Sequence, residues 1–183
     1  MSGYGVMCRF RSHGYALLLG VLALPVSAAA DDVPVYRAKG LDAPTINFVL
    51  GNFEFVLLHE LAHVVIGELK VPVLGPEEDA ADFLAATALL NTTRGDPVSY
   101  RRANTWLLAA AEGLRLSWAE GETRTGELPY WNSHSLNIQR FYSIACLLYG
   151  SDPETMGPLA GRLGLPQARR DSCIPEAARN AAS

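Results

Sequence analysis

The chain lacks concentrated positive charge. Its only adjacent basic pairs are Arg101-Arg102 and Arg169-Arg170, and acidic residues outnumber basic ones 19 to 15. A nucleic-acid partner leaves a basic patch or stripe, so that class of function is set aside. Internal repeats and low-complexity linkers are also missing. Cysteine is scarce at three residues, and histidine at four. So few of either excludes a disulfide-dense scaffold and a cysteine-rich metal cluster.

The N-terminal pattern reduces these counts further. Arg9 and Arg11 precede an apolar run from Tyr15 to Pro25, followed by small residues at Ser27 to Ala30. This order of charge, apolar core and small residues predicts a cleaved export signal over residues 1–30. The run is too short for a comfortable membrane span, so no transmembrane segment is expected after cleavage. Removing 30 of the 183 residues leaves 153, enough for a single domain over 31–183. Two basic residues and no acidic ones leave with the signal, giving a formal charge of −6. The expected destination is the periplasm or the outside of a bacterial cell. Two cysteines then remain, Cys146 and Cys173, and an even count in an exported protein predicts one disulfide between them. Three histidines remain: His59, His63 and His134.

His59 and His63 flank Glu60 in His-Glu-Leu-Ala-His, within a long apolar stretch from Phe53 to Ile66. Residues four apart share a helix face, so the two imidazoles can hold one metal ion. Glu60, one position round the helix, can reach a water on that ion and act as general base. Apolar residues on all sides predict that this helix, about 44–68, is buried. Two core histidines that merely satisfy each other's hydrogen bonds are the plainer alternative.

A second helix is predicted over 76–92, opening with Pro76 and the acids Glu77, Glu78 and Asp79. Glu78, Ala81, Asp82, Ala85 and Leu89 fall on one face. A zinc site with two histidines needs a third protein ligand and an open position, and Glu78 is the candidate. Asp82, one turn later, can hold a ligand histidine by its other nitrogen. An acidic first turn that only answers the helix dipole is the alternative for Glu77 to Asp79.

Helices are also predicted over 99–120 and 134–149, with Ser133 as a cap for the latter. Gly121 to Pro129 reads as a polar loop at a cleft edge. Val33 to Arg37 reads as a short edge strand. The segment from Cys173 onward shows little core of its own, and its last residues from Ala177 are expected to fray. The fold class is mainly α, with a short β segment near the mature N-terminus.

The spacing of His59-Glu-Leu-Ala-His63 and Glu78-x-x-x-Asp82 resembles the gluzincin arrangement of thermolysin-like and prenyl-protein-protease-like enzymes. With Gly51-Asn52, Pro72-Val-Leu-Gly75, Trp131 to Tyr142 and Tyr149 to Pro153, most of the mature chain is similar to a bacterial family described as metallopeptidases. The metzincin pattern is not met, because Ile66 and Leu69 stand where a glycine and a histidine belong.

The resemblance implies a zincin-like domain holding Zn2+ on His59, His63 and Glu78, and hydrolysis of peptide or protein substrates with Glu60 as base. By analogy with thermolysin-like enzymes, His134 donates to the developing oxyanion, with Arg140 and Tyr142 behind it. Two other roles fit His134: a structural hydrogen-bonding residue, or a zinc ligand. Two other functions fit the chain: a non-catalytic, zinc-stabilised envelope protein that binds a partner, and a zinc amidase on cell-wall fragments.

Overall fold

A computed structural model of the protein describes residues 40–122, 126 and 128–182. The expected signal segment and the expected strand near residues 33–38 lie outside these residues, as does the centre of the 121–129 loop. The described residues are helical, with no strand among them.

Six helices follow in order: α1 Ala43–Leu69, α2 Glu77–Thr93, α3 Pro97–Ser117, α4 Asn137–Ser151, α5 Pro153–Arg162 and α6 Gln167–Asn180. A π-helical turn, Trp118–Glu122, extends α3. Local chemistry sets most of the boundaries. Asp42 accepts from the Thr45 amide at 2.9 Å, and Pro44 sits in the first turn of α1. Asp96 accepts from the Val98 and Ser99 amides, both at 3.1 Å, with Pro97 behind it. Asp152 repeats the device at Thr155, with Pro153 next in line. α1 stops at Lys70, whose φ of 53° is left-handed.

α1 packs on α2 and α3; α3 packs on α4; α4 carries α5 and α6. Phe55, Leu90, Leu107, Phe141, Ile144 and Leu148 form the shared core. Small residues set the spacing. Ala81, Ala85 and Ala86 of α2 and Ala103, Ala110 and Ala111 of α3 are fully enclosed. Gly51 lies directly against the Trp106 backbone of α3, where any Cβ would collide. Beside it, Asn52 donates to the carbonyl of Ala109 at 3.1 Å, linking the two helices.

Two expectations are corrected. α1 is not buried all round: Gly51, Phe55, His59, Ala62 and Ile66 form one narrow inward stripe, while Val49, Phe53, Val56, Leu57, Leu61 and Val64 face outward and are exposed. The apolar count suggested a core helix, but among the described residues only one side of α1 has neighbours. The C-terminal segment also does more than expected. It folds as α5 and α6, and α6 inserts Cys173 and Ala177 against α4. Gly150 of α4 abuts the Cys173 carbonyl with no room for a side chain. A disulfide joins Cys146 of α4 to Cys173 of α6. The disulfide was expected, but the helical packing of α6 was not, because its buried groups are small and alanine and cysteine make a weak periodic signal.

Candidate metal centre

α1 and α2 lie side by side, and their contact brings the expected residues together. His59 is buried on the inner stripe of α1; His63, one turn later, is partly exposed. Glu78 in the first turn of α2 places Oε2 3.1 Å from His59 Nε2 and 3.2 Å from His63 Nε2. The two Nε2 atoms are themselves 3.2 Å apart. His134 arrives from the turn before α4, with Nε2 2.9 Å from the same Glu78 oxygen. Its ring lies nearly parallel to that of His59. All three histidines of the described chain therefore meet one carboxylate oxygen.

The opposite ring nitrogens are also held. His59 Nδ1 lies 2.9 Å from Asp82 Oδ1. His63 Nδ1 lies 2.8 Å from Glu77 Oε1. Asp82 is engaged on its far side by Arg140, whose Nε and Nη2 donate to Oδ2 and Oδ1 at 2.7 and 2.8 Å. This fork fixes the buried carboxylate against His59. Desolvation opposes the charge on Arg140, but Asp82 overcomes it and holds the guanidinium above its ordinary range. Burial likewise pushes the Glu78 carboxyl up, yet the three histidines together hold it below the usual carboxylate range. The Glu77 carboxylate raises His63.

These contacts test whether the donor set suits a cation. Asp82 and Glu77 can only accept, so the Nδ1 of His59 and that of His63 each carry a proton, and in the neutral form that binds a metal each Nε2 presents a lone pair. In that form the lone pairs face one another and the Glu78 oxygen. A divalent cation at their centre removes the conflict. The spacing also fits. Ligands about 2.0–2.1 Å from a tetrahedral zinc stand about 3.3 Å from one another, close to the 3.1–3.2 Å among His59, His63 and Glu78.

The remaining site residues are placed differently. Glu60 is exposed and lines an open pocket of about 690 Å³ together with His59, His63, Glu77, Glu78 and Asn132 to His134. No hydrogen bond or ion pair ties down its carboxylate among the described residues. Arg140 and Tyr142 were expected behind His134 at the substrate. Arg140 instead spends its donors on Asp82, and Tyr142 packs edge-on to Phe141 with its hydroxyl near Gly164, away from the pocket. Helix α4 starts at Asn137, so His134 and Ser133 belong to the preceding turn. Gln139, not Ser133, reaches back to that start, accepting from the Leu136 amide at 3.1 Å.

Sequence reasoning missed two links. Glu77 was assigned no partner, although a ligand histidine needs an acceptor at its second nitrogen and Glu77 adjoins Glu78. Asp79 accepts from Ser135 Oγ at 2.8 Å and so anchors the His134 turn to α2. Nothing in the intervening positions signals that contact, made across a separation of 56.

A family model whose description reads "Putative metallopeptidase" matches residues 28–183. The chain belongs to this family. The match spans every element of the site, from α1 through the His134 turn to α4, and extends over the disulfide-linked α6. Membership in a metallopeptidase family implies a metal ion, and His59, Glu78 and His134 form a group able to hold one. No curated protein and no solved structure matches the chain.

Proposed function

We propose that the protein is an exported zinc-dependent peptidase of gluzincin type, with a zincin-like helical arrangement. The observation carrying this reading is the convergence of three imidazole Nε2 atoms on one Glu78 oxygen, beside an exposed Glu60 that lines the same open pocket. His59, His63 and Glu78 hold the ion. When bound, zinc supplies Lewis acidity that activates water and polarises a carbonyl. Asp82 fixes the His59 ring by its Nδ1 proton, and Arg140 keeps that carboxylate in place. Glu60 removes the proton from the attacking water and delivers it to the departing amine. His134, at the rim, donates to the oxyanion that forms on the scissile carbonyl. The N-terminal charge and apolar pattern supports export, and the disulfide is at home in an oxidising compartment.

One observation favours a second reading. His134 Nε2 is closer to Glu78 Oε2 than either helix-borne imidazole is. If it joins the ligands as a fourth side chain, the site closes and the metal is structural, as in a non-catalytic envelope protein.

Substituting Glu60→Gln separates the two. On the catalytic reading, zinc content stays unchanged while cleavage of a peptide library falls about 100-fold or more. Equal turnover by wild type and variant removes Glu60 as the base. Absence of turnover in both, with one tightly held zinc, assigns the site to structure.

A further inference from the structure

Among the described residues no element packs on the outward face of α1, yet exposed apolar side chains run along it and the proposed base stands among them. On a helix, the side chains touching Glu60 are those three and four positions away: Val56, Leu57, His63 and Val64. His63 is a ligand candidate. The other three are large aliphatic residues, and Val56 and Val64 keep 55% and 57% of their surface in solvent. The stripe continues from the pocket toward the start of α1 through Phe53, which is 64% exposed.

The other pocket walls repeat the pattern. Tyr130 and Trp131 are 76% and 80% exposed and directly precede the wall formed by Asn132, Ser133 and His134. Leu74 is fully exposed two residues before Pro76, the first wall residue from α2's side. Exposed apolar surface gathered around a polar pocket marks a binding site. Here it borders the pocket on three separate segments.

We infer that this apolar collar seats the substrate, and that the substrate class is polypeptide displaying large apolar side chains: an unfolded or extended hydrophobic segment, laid along α1 across Glu60. The inference rests on the peptidase reading above and adds the identity of what is cut. Its basis is continuity between the apolar face and the pocket, with Glu60 belonging to both.

Two other occupants fit less well, and one other apolar groove is set aside. A second copy of the chain seated on this face would bury the Glu60 carboxylate without a partner, which is costly. A lipid surface is a poor match. α1 is long and apolar enough to cross a membrane, but its inner stripe is committed to α2 and α3. Its charged residues are Glu54, Glu60 and Glu68, with Lys70 only at its end, where anionic lipid calls for a basic face. The groove between Phe83 and Thr87 of α2 and Asn180 of α6 is apolar too, but it lies apart from the ligating residues.

The test uses the zinc-loaded full chain carrying Glu60→Gln, so that binding is read without cleavage. The probe is a fluorescein-labelled twelve-residue peptide alternating Leu or Phe with Gly, compared with a peptide in which Ser replaces every Leu and Phe. Anisotropy is expected to show binding of the apolar peptide alone. Adding Leu57→Ser and Val64→Ser should weaken it by roughly tenfold or more, as expected when apolar contact area is removed. Zinc content and circular dichroism should be unchanged. A photo-reactive benzoylphenylalanine at position 57 should cross-link to the apolar peptide.

Equal binding of both peptides overturns the inference, as does affinity that survives the double substitution. So does cross-linking to a second copy, to added phosphatidylglycerol vesicles or to the chain's own residues 31–39 in preference to the peptide. Selective binding with no cleavage by the Glu60-containing protein leaves the collar standing and sinks the peptidase. Cleavage indifferent to apolar residues does the reverse.

Discussion

The two ends of α4 hold the molecule together in opposite ways. Near its start, Arg140 reaches Asp82 through a charged fork, and Asp82 in turn positions His59. Near its end, Cys146 is bonded to Cys173, and Gly150 lets α6 lie flush against the helix. One end is a polar network whose ring nitrogens converge on one carboxylate oxygen in an arrangement suited to a cation. The other is small, apolar and covalent, and needs nothing bound. A buried charge network gains little net stability after desolvation but fixes geometry; a cross-link stabilises by restricting the unfolded chain. The metal end is thus specialised for position and the disulfide end for persistence.

The sharpest way to break this contrast is Glu78→Ala. It removes the oxygen on which three imidazoles converge, and zinc affinity should fall more than 100-fold, beyond what loss of an outer hydrogen bond costs. Unchanged affinity by competition with a chelating dye would move the ligand role to His134 or Glu77. The disulfide should keep its oxidised mass in this variant.

Cys173→Ser should do the converse. Opening a cross-link that spans 27 positions should cost about 3 to 4 kcal/mol in chemical denaturation. Zinc stoichiometry of the folded protein should stay the same. Loss of zinc at low denaturant would show the two ends to be one unit.

Asp82→Asn probes the link between α4 and the centre. The amide keeps its shape but loses the charge that Arg140 and His59 share, so zinc affinity should fall about 10- to 100-fold. Isothermal titration that detects no change would make Asp82 a packing residue.

The smallest effect belongs to the disulfide end. Arg169 donates to Glu176 at 2.7 and 2.8 Å and, against desolvation, holds its carboxyl below the usual range. A depressed folded value means the contribution is present above the unfolded pKa and disappears as pH falls through the folded one. The pair is about a third exposed, so it is worth at most about 1 kcal/mol. The acid stability profiles of wild type and Glu176→Gln should converge below that range. A persistent gap at low pH would assign Glu176 another role.

Much of the site could be read in advance because its parts are local. His59 and His63 share a face through helix geometry, and Glu78 and Asp82 share another one turn apart. What escaped were contacts between distant segments: Arg140 to Asp82 across 58 positions and Ser135 to Asp79 across 56. Their side chains are ordinary polar residues, and no periodicity marks which carboxylate an arginine will choose. The same limit explains α6, whose buried face consists of a cysteine and an alanine.

The sequence by itself determined the first four helices and the donor types of the site, since these depend on neighbours within four residues. Tertiary structure alone decided which apolar surface became core. α1 is apolar on both sides, and only the approach of α2 and α3, made close by Gly51 and the alanines facing it, turned one stripe inward and left the other in water around Glu60. Burial requires a second surface, and a helix does not carry its partner within its own residues.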